Sequence, residues 1–146
     1  MAFITYAEYI TINPTSDLED NSEFQYLSEV ASDLVDSLTN YKINLLGGVS
    51  EFSAFTQDKI KKATSSQIDT LYSQGGLDAL TGHSDNTVDK VKIGSYEESS
   101  LNNTLITNSL VMLNGMPLSP LVDIYLRPTN LLNRSLNICF TIDDFN

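Results

Sequence analysis

Residues of the types that perform chemistry are few in this chain, and their spacing does not bring them together. The single histidine, His83, stands two residues before Asp85 in a polar stretch, and the single cysteine is Cys139. A metal site or catalytic pair needs further groups at a suitable spacing, and the sequence around His83 has none. Asp143 and Asp144 are adjacent, so on a strand their side chains would point to opposite faces. We therefore expect no catalytic residue, no metal site and no cofactor.

The longer motifs of enzymes and ligand-binding proteins are also absent from the sequence. It has no Gly-rich phosphate loop followed by Lys-Ser/Thr, no nucleophile elbow, no Cys/His ligand spacing and no EF-hand pattern. Cys139 has no informative histidine near it, which favours a small buried or half-buried residue over a nucleophile. The sequence thus predicts a protein that is not an enzyme. The alternative, an enzyme or ligand-binding domain with an unrecognised site, would have a deep pocket lined by convergent polar groups.

Length, charge and hydropathy bound the class of protein. The 146 residues suffice for one domain with its own core, and one cysteine cannot form an intrachain disulfide. No run approaches the roughly 18 apolar residues of a membrane span, and the N-terminus does not have the pattern of a secretory signal. We expect a soluble protein of intracellular origin with no membrane partner.

The formal net charge of −11 is the strongest feature of the composition. Such a charge repels phosphate and disfavours nucleic-acid binding by counterion release. Nine acidic residues precede Phe55, against Lys42 as the one basic residue there. Acidity of this kind usually indicates only a solvated surface. The sharper interpretation is a surface that stays near nucleic acid without binding to it.

The element around which the chain is organised is a helix predicted over Thr56–Gly76. Thr56 is its expected N-cap, and Gly75-Gly76 supplies the left-handed residue that ends a helix. The apolar residues that follow the helical period are Ile60, Ala63, Ile68 and Leu71.

A second amphipathic helix is predicted from a capping box of Ser22 and Gln25. Thr5 and Glu8 have the same spacing, so a short helix is expected to begin at Tyr6. The apolar stripe of the second helix consists of Phe24, Leu27, Val30, Ala31, Leu34, Val35 and Leu38.

A further short helix is predicted near the C-terminal end. Ser119 is its expected cap, Pro120 occupies its first position, and Pro128 ends it.

The segments between the helices are predicted to be connections and short extended pieces. Tyr41–Ser53 is expected to be a connection whose apolar residues, Leu45 and Leu46 included, contact the core. Val88–Tyr96 alternates like a strand, with a bend at Gly94. Glu97–Asn103 is predicted to be a polar loop, and Leu105–Leu113 a helix in preference to a strand.

The C-terminal tail has a period of two, with Leu136, Ile138, Phe140 and Ile142 alternating with more polar residues. Such a strand must find a sheet edge, either in Val88–Tyr96 of the same chain or on a neighbouring chain. The expected fold class is mainly α: a small helical bundle with a short β element around 88–96 and an extended C-terminal strand. Residues 1–135 would form the helical domain and 136–146 the tail, within a single domain overall.

The order of these pieces resembles the head–tail connector (adaptor, or head-completion) proteins of long-tailed bacteriophages. Four stretches in the family's order, together 58 of the 146 residues, carry the resemblance: FQYLSEVASDLVDSLT, IKKATSSQIDTLYSQGG, VKIGSY and LSPLVDIYLRPTNLLNRSL. The chain departs from the family at Asn130, where members usually have glycine, although asparagine tolerates the same left-handed conformation. It also continues beyond Arg134 with the alternating tail.

The resemblance implies a structural virion protein of the neck, assembled in the host cytoplasm. Such subunits form a homo-oligomeric ring, usually of twelve copies, which binds below the portal protein and extends the DNA channel towards the stopper or tail-completion protein. Genomic DNA would pass through without specific binding. Alternatives are another junction component, such as a stopper or tail-end protein, or an acidic helical protein-interaction module outside virions.

The C-terminal segment is the predicted contact with the portal or a neighbouring subunit. Its expected contact residues are Leu131, Leu132, Arg134, Leu136, Ile138, Phe140 and Ile142.

Overall fold

The computed structural model describes residues 1–81, 90–93, 96–99, 111–113 and 115–132. The helices are α1 (Tyr6–Ile12), α2 (Ser22–Leu38), α3 (Lys42–Leu45), α4 (Ala54–Ser73), α5 (Gly76–Thr81) and α6 (Pro120–Leu126). The strands are β1 (Lys90–Ile93), β2 (Tyr96–Ser99), β3 (Val111–Leu113) and β4 (Met116–Leu118), and 3₁₀ turns cover Val49–Glu51 and Arg127–Thr129. The fold is mainly helical, as predicted.

The start of α1 confirms the sequence prediction, because the Thr5 hydroxyl accepts the Glu8 N–H and the Glu8 carboxylate accepts the Thr5 N–H at 2.9 Å. The predicted cap of α2 was one residue too late. Asn21 is the N-cap, and its side-chain oxygen accepts the backbone N–H groups of Glu23 and Phe24 at 3.0 and 3.1 Å. A short amide side chain at this position satisfies two otherwise unpaired donors of the first turn.

The cap of α4 is also earlier than predicted. Ser53 is its N-cap, and the predicted cap Thr56 lies within the first turn, where its N–H donates to the Ser53 hydroxyl at 3.4 Å. Serine and threonine are similarly good caps, and the residue that comes first before the helical run takes the role.

α4 is the centre of the molecule. It packs against α1, α2, α5, α6 and β4. Every residue from Ala63 to Ile68 is buried, which covers more than one full helical turn. The middle of α4 is therefore enclosed on all sides.

Two apolar clusters surround α4. The first joins α1 and α2 to the C-terminal half of α4, with Tyr9, Phe24, Leu27 and Ile68 among its members. The second joins the end of α2, α3 and α6 to the N-terminal half, around Ile43, Ile60 and Leu126. Each fully buried large side chain contributes about 1.5–3 kcal/mol relative to exposure.

The connection after α2 is more structured than predicted. It contains α3 and the 3₁₀ turn, and the buried Asp36 organises its start by accepting the Asn44 side-chain N–H at 2.6 Å. Leu45 and Leu46, predicted to contact the core, are exposed instead. Ile43 is fully buried, and Leu45, two positions later, lies on the opposite side of the single turn of α3.

The strands correct two further predictions. β1 confirms extended structure within Val88–Tyr96, but β2 begins at Tyr96, so Glu97 to Ser99 belong to a strand and not to a loop. The two strands are antiparallel, with Lys90 opposite Ser99 at one end and Ile93 opposite Tyr96 at the other. The polar composition of this stretch indicated a loop, although a strand at a sheet edge can also be polar.

Residues 111–113, predicted as part of a helix, form β3, which pairs antiparallel with β4. Gly115 has a φ of 82°, a conformation that glycine adopts readily. A two-residue connection that includes such a glycine is typical of a tight hairpin.

The predicted start of the helix near the C-terminal end of the described chain is confirmed. The Ser119 hydroxyl accepts the Leu121 N–H at 3.3 Å, Pro120 opens α6, and Asn130 adopts the left-handed conformation with a φ of 60°. The predicted bend at Gly94 and the tail strand around Leu136–Ile142 lie outside the described residues.

Gln67 on the central helix binds the connection between β4 and α6 through hydrogen bonds to its backbone. Its fully buried amide donates to the Pro117 carbonyl at 2.8 Å and accepts the Ser119 N–H at 2.9 Å. Gln67→Leu leaves both backbone groups without partners, at about 1–3 kcal/mol each. We expect a loss of at least about 2 kcal/mol in the free energy of unfolding, measured by urea denaturation.

The matched control is Gln25→Leu, at an exposed position of α2. It should change the free energy of unfolding by less than about 0.5 kcal/mol. Equal losses in the two variants would contradict the role assigned to Gln67.

Candidate interaction surfaces

Within the ranges that the structure describes, no three His, Cys, Asp or Glu side chains are placed to hold a metal ion. His83, Asp85, Cys139, Asp143 and Asp144 all lie outside those ranges. Among the described helices, none is long and apolar enough to cross a membrane.

Two cavities open on the described surface. One, of about 190 Å³, lies between the end of α4, α5 and the β3–β4 hairpin, and apolar side chains such as Leu71, Leu80 and Met116 dominate its lining. The other, of about 340 Å³, lies between the N-terminus and the segment after α3, and is lined by residues such as Phe3, Asn44 and Val49. Among the described residues that line them, neither cavity has an ionisable side chain that could act as an acid or base.

A polar cluster joins α1 to α4. The Tyr9 hydroxyl donates to Asp69 Oδ1 at 2.5 Å and lies 2.7 Å from the Ser16 hydroxyl. The Asn13 amide donates to Ser65 Oγ at 2.7 Å and to Asp69 Oδ2 at 2.5 Å. Burial raises the pKa of Asp69, and the hydrogen bond from Tyr9 offsets part of that rise.

The same cluster perturbs Tyr9. Burial, together with the hydrogen bond to Asp69, raises the pKa of the Tyr9 hydroxyl. Across the described part of the chain, no buried side-chain nitrogen or oxygen is left without a hydrogen-bond partner. The cluster therefore has no unsatisfied group for a ligand, and its geometry fits a fastening between two helices.

The first exposed apolar region lies on the outer side of α6 and the start of α4. Ile124 is 59% exposed, and Leu121 and Phe55 are also exposed. Lys59 Nζ lies 5.4 Å from the centre of the Phe55 ring and 5.8 Å from that of Tyr125, within cation–π range. We call Phe55, Lys59, Leu121, Ile124 and Tyr125 the α6 surface.

The charge of Lys59 distinguishes the α6 surface from a purely apolar patch. Its neighbour Lys62 forms an ion pair with Asp58 at 2.9 Å. Lys59 itself forms no ion pair with a carboxylate of the described residues. The α6 surface thus presents an ammonium group held between aromatic rings.

A second exposed apolar region surrounds α3. Tyr41, Leu45 and Leu46 are exposed there, Leu45 by 78%, and we call them the α3 surface. Monomeric proteins rarely expose several large apolar side chains close together unless the patch has a partner.

The outer side of α2 is acidic. Tyr26, Glu29 and Asp33 are exposed and follow one another at helical spacing, and we call them the α2 face. The two carboxylates are four residues apart, an arrangement of like charges that is mildly unfavourable. Neither forms an ion pair with another described residue.

Two of the seven predicted contact residues, Leu131 and Leu132, lie in the described part of the chain. Leu131 is only 7% exposed and belongs to the second apolar cluster, and Leu132 packs against that cluster. The Lys42 ammonium donates to the Leu131 carbonyl at 3.4 Å, so the described chain ends beside α3. The other five predicted contact residues, Arg134, Leu136, Ile138, Phe140 and Ile142, lie outside the described residues, and the interface role of the set stays a prediction.

The sequence interpretation did not identify the α6 and α3 surfaces. A signal for the first was present, because Leu121 and Ile124 do not share the i, i+4 spacing of the buried pair Val122 and Leu126. No comparable signal separates Leu45 and Leu46 from core residues in so short a helix.

The polar cluster gives a prediction for the dependence of stability on pH. Because folding raises the pKa of Asp69, the folded state keeps this proton to a higher pH than the unfolded chain. The contribution of Asp69 to the free energy of unfolding therefore falls as pH rises from the ordinary aspartate range through the raised pKa. We expect Asp69→Asn to lack this component in urea unfolding measured over a pH series.

Asp17→Asn, which removes an exposed carboxylate, is the control and should keep that component of the pH dependence. The prediction fails if Asp69→Asn and the unaltered chain show the same slope of stability against pH.

Comparison with known proteins provides no relative from which a function could be transferred. No protein-family model, no curated protein and no solved structure matches the chain. Its function must therefore be inferred from the sequence pattern and from the surfaces just described.

Proposed function

We propose that this chain is a structural subunit of the head–tail connector of a long-tailed bacteriophage. In this role it forms a ring below the portal protein and extends the DNA channel towards the stopper or tail-completion protein. It acts by binding proteins and catalyses no reaction. The resemblance of four stretches of the sequence to this family is the starting point.

The observation that carries the proposal is the pair of exposed apolar surfaces on a small helical body. The α6 surface and the α3 surface are formed by different helices and share no residue. A ring subunit needs contacts with its neighbours and separate contacts with the layers above and below it. Exposed apolar patches of this kind are typical of protein-interaction sites.

The distribution of charge supports the same role. Among the early acidic residues, Asp17, Glu19, Asp20, Glu29 and Asp33 are exposed, and they outnumber the basic residues of that region. An acidic surface beside a DNA channel repels phosphate and allows the DNA to pass without binding.

The helical content bears on the alternatives. Stopper and tail-end proteins are generally richer in β-structure, whereas the described part of this chain is mainly helical. An acidic interaction module outside virions is consistent with the helices, but it has no need of two separate apolar surfaces.

The most direct test uses a phage that encodes this chain. An amber mutation in its gene should leave heads and tails as separate particles under a non-suppressing host, because the connecting ring is missing. Electron microscopy of the lysate would show this, and complementation with the wild-type gene should restore joined particles. Joined, infectious virions without the chain would exclude the connector role.

The tail is tested separately by ending the chain after Ser135. The described members of both apolar clusters all lie at or before Leu132, so the truncated protein should keep its helical circular dichroism spectrum and its cooperative unfolding. It should lose binding to purified portal protein, measured by sedimentation with the full-length chain in parallel. Unchanged portal binding would refute the docking role of the alternating tail.

A further inference from the structure

The α6 surface and the α2 face have opposite character and lie on different helices. The α6 surface carries Lys59 without a carboxylate partner among the described residues, set between exposed apolar side chains. The α2 face carries Glu29 and Asp33 without a described cation, and Tyr26 lies next to them. The α6 surface thus has the cation that the α2 face lacks, and the α2 face has the carboxylates that the α6 surface lacks.

We propose that the α6 surface of one copy of this chain docks on the α2 face of the next copy. This inference rests on the proposed function, since it names the contact by which the ring would grow. In the contact, Lys59 lies between the Glu29 and Asp33 carboxylates, and Leu121 and Ile124 pack against Tyr26.

The spacing of the groups supports the match. Glu29 and Asp33 are one helical turn apart, so a single ammonium group can neutralise the mutual repulsion of the two carboxylates. Tyr26 lies about one further turn towards the N-terminus of α2, and the half-buried Val30 flanks it on the apolar edge. Leu121 and Ile124 are also about one turn apart on α6, so both sides offer a polar and an apolar portion over similar lengths.

The positions of the two surfaces make the contact directional. α4 packs against both α2 and α6, and the α6 surface and the α2 face share no residue, so the proposed contact joins two different surfaces. A contact between two different surfaces is head-to-tail and can be repeated from copy to copy. An arrangement in which the same patch meets itself would bring two Lys59 residues together, or two pairs of carboxylates.

The charge balance also selects this pairing over a non-specific association. With a net charge of −11, copies of the chain repel one another at low ionic strength. A contact that places a cation against two anions opposes this repulsion locally, and it should weaken as salt screens the pair.

Charge reversal provides the test, by sedimentation velocity at low salt with protein concentrations up to about 1 mM. Lys59→Glu should weaken self-association roughly tenfold or more, as should the double change Glu29→Lys with Asp33→Lys. The double change reduces the net charge from −11 to −7, since each replacement adds two charges. Reduced repulsion alone would therefore strengthen association, which is the opposite of the expected result.

Mixing the two reversed proteins should restore association to about the wild-type level. The glutamate introduced at position 59 of one protein then faces the two lysines introduced on α2 of the other. The native Lys59 of the second protein faces the native carboxylates of the first. Combining all three changes in one chain should restore association as well. Misfolding cannot explain recovery of association in the mixture, because each protein there carries the same substitutions as it does when measured alone.

Two controls separate the contact from general effects. Asp17→Lys with Asp20→Lys makes the same change in net charge at exposed positions before α2, and should not weaken association. Ile124→Ala should weaken association roughly tenfold, whereas Leu45→Ala, on the α3 surface, should leave it unchanged.

The contact is overturned if the unaltered chain stays monomeric at about 1 mM and low salt. It is also overturned if the mixture associates no better than its components. Neither result would decide the connector role, which the amber mutation tests separately. Conversely, the charge-reversal results can hold while the gene proves dispensable for joining, which would remove the connector role and keep the contact.

Discussion

The fold depends on enclosing the middle of α4 on every side although much of it is polar. Thr64 and Ser66 are buried, and their hydroxyls donate to backbone carbonyls one turn earlier in the same helix. Ser65 accepts from Asn13 of the loop after α1, and Gln67 bonds to the chain before α6. Small or fully paired side chains let neighbouring elements approach closely, since an unpaired buried polar group would cost about 1–3 kcal/mol.

This arrangement explains which parts of the fold were predictable from the sequence. Helices whose ends carry strong local signals, such as the capping box before Tyr6 and the Ser119-Pro120 start of α6, form where expected because those interactions are local. The hairpin at β3 and β4 was missed although Asn114-Gly115 in the sequence is a strong turn signal. The apolar run before it was interpreted by its composition, and composition alone does not separate a strand from a helix.

The surfaces were harder to predict for a physical reason. Whether Leu45 or Ile124 is buried depends on which other helix covers it, and this is decided by packing between segments far apart in sequence. The polar cluster of Tyr9, Asn13 and Asp69 illustrates the same limit, since its partners are more than 50 residues apart. Local patterns thus indicate elements, while the outward faces emerge only when the elements are placed around α4.

The enclosure of the central helix also bears on the proposed contact between copies of the chain. Because α4 is covered, its neighbours α2 and α6 provide outward-facing surfaces, and nothing in the fold makes these surfaces alike. Unlike surfaces can be complementary in charge, which a single surface meeting itself cannot be when it carries one sign. With a net charge of −11, the proposed repeated contact would have to overcome repulsion at every addition, which favours a pair of surfaces of opposite charge. In the proposed contact, Lys59 between its aromatic rings meets the pair of carboxylates on α2, and the closure of a ring would depend on the angle between the two surfaces.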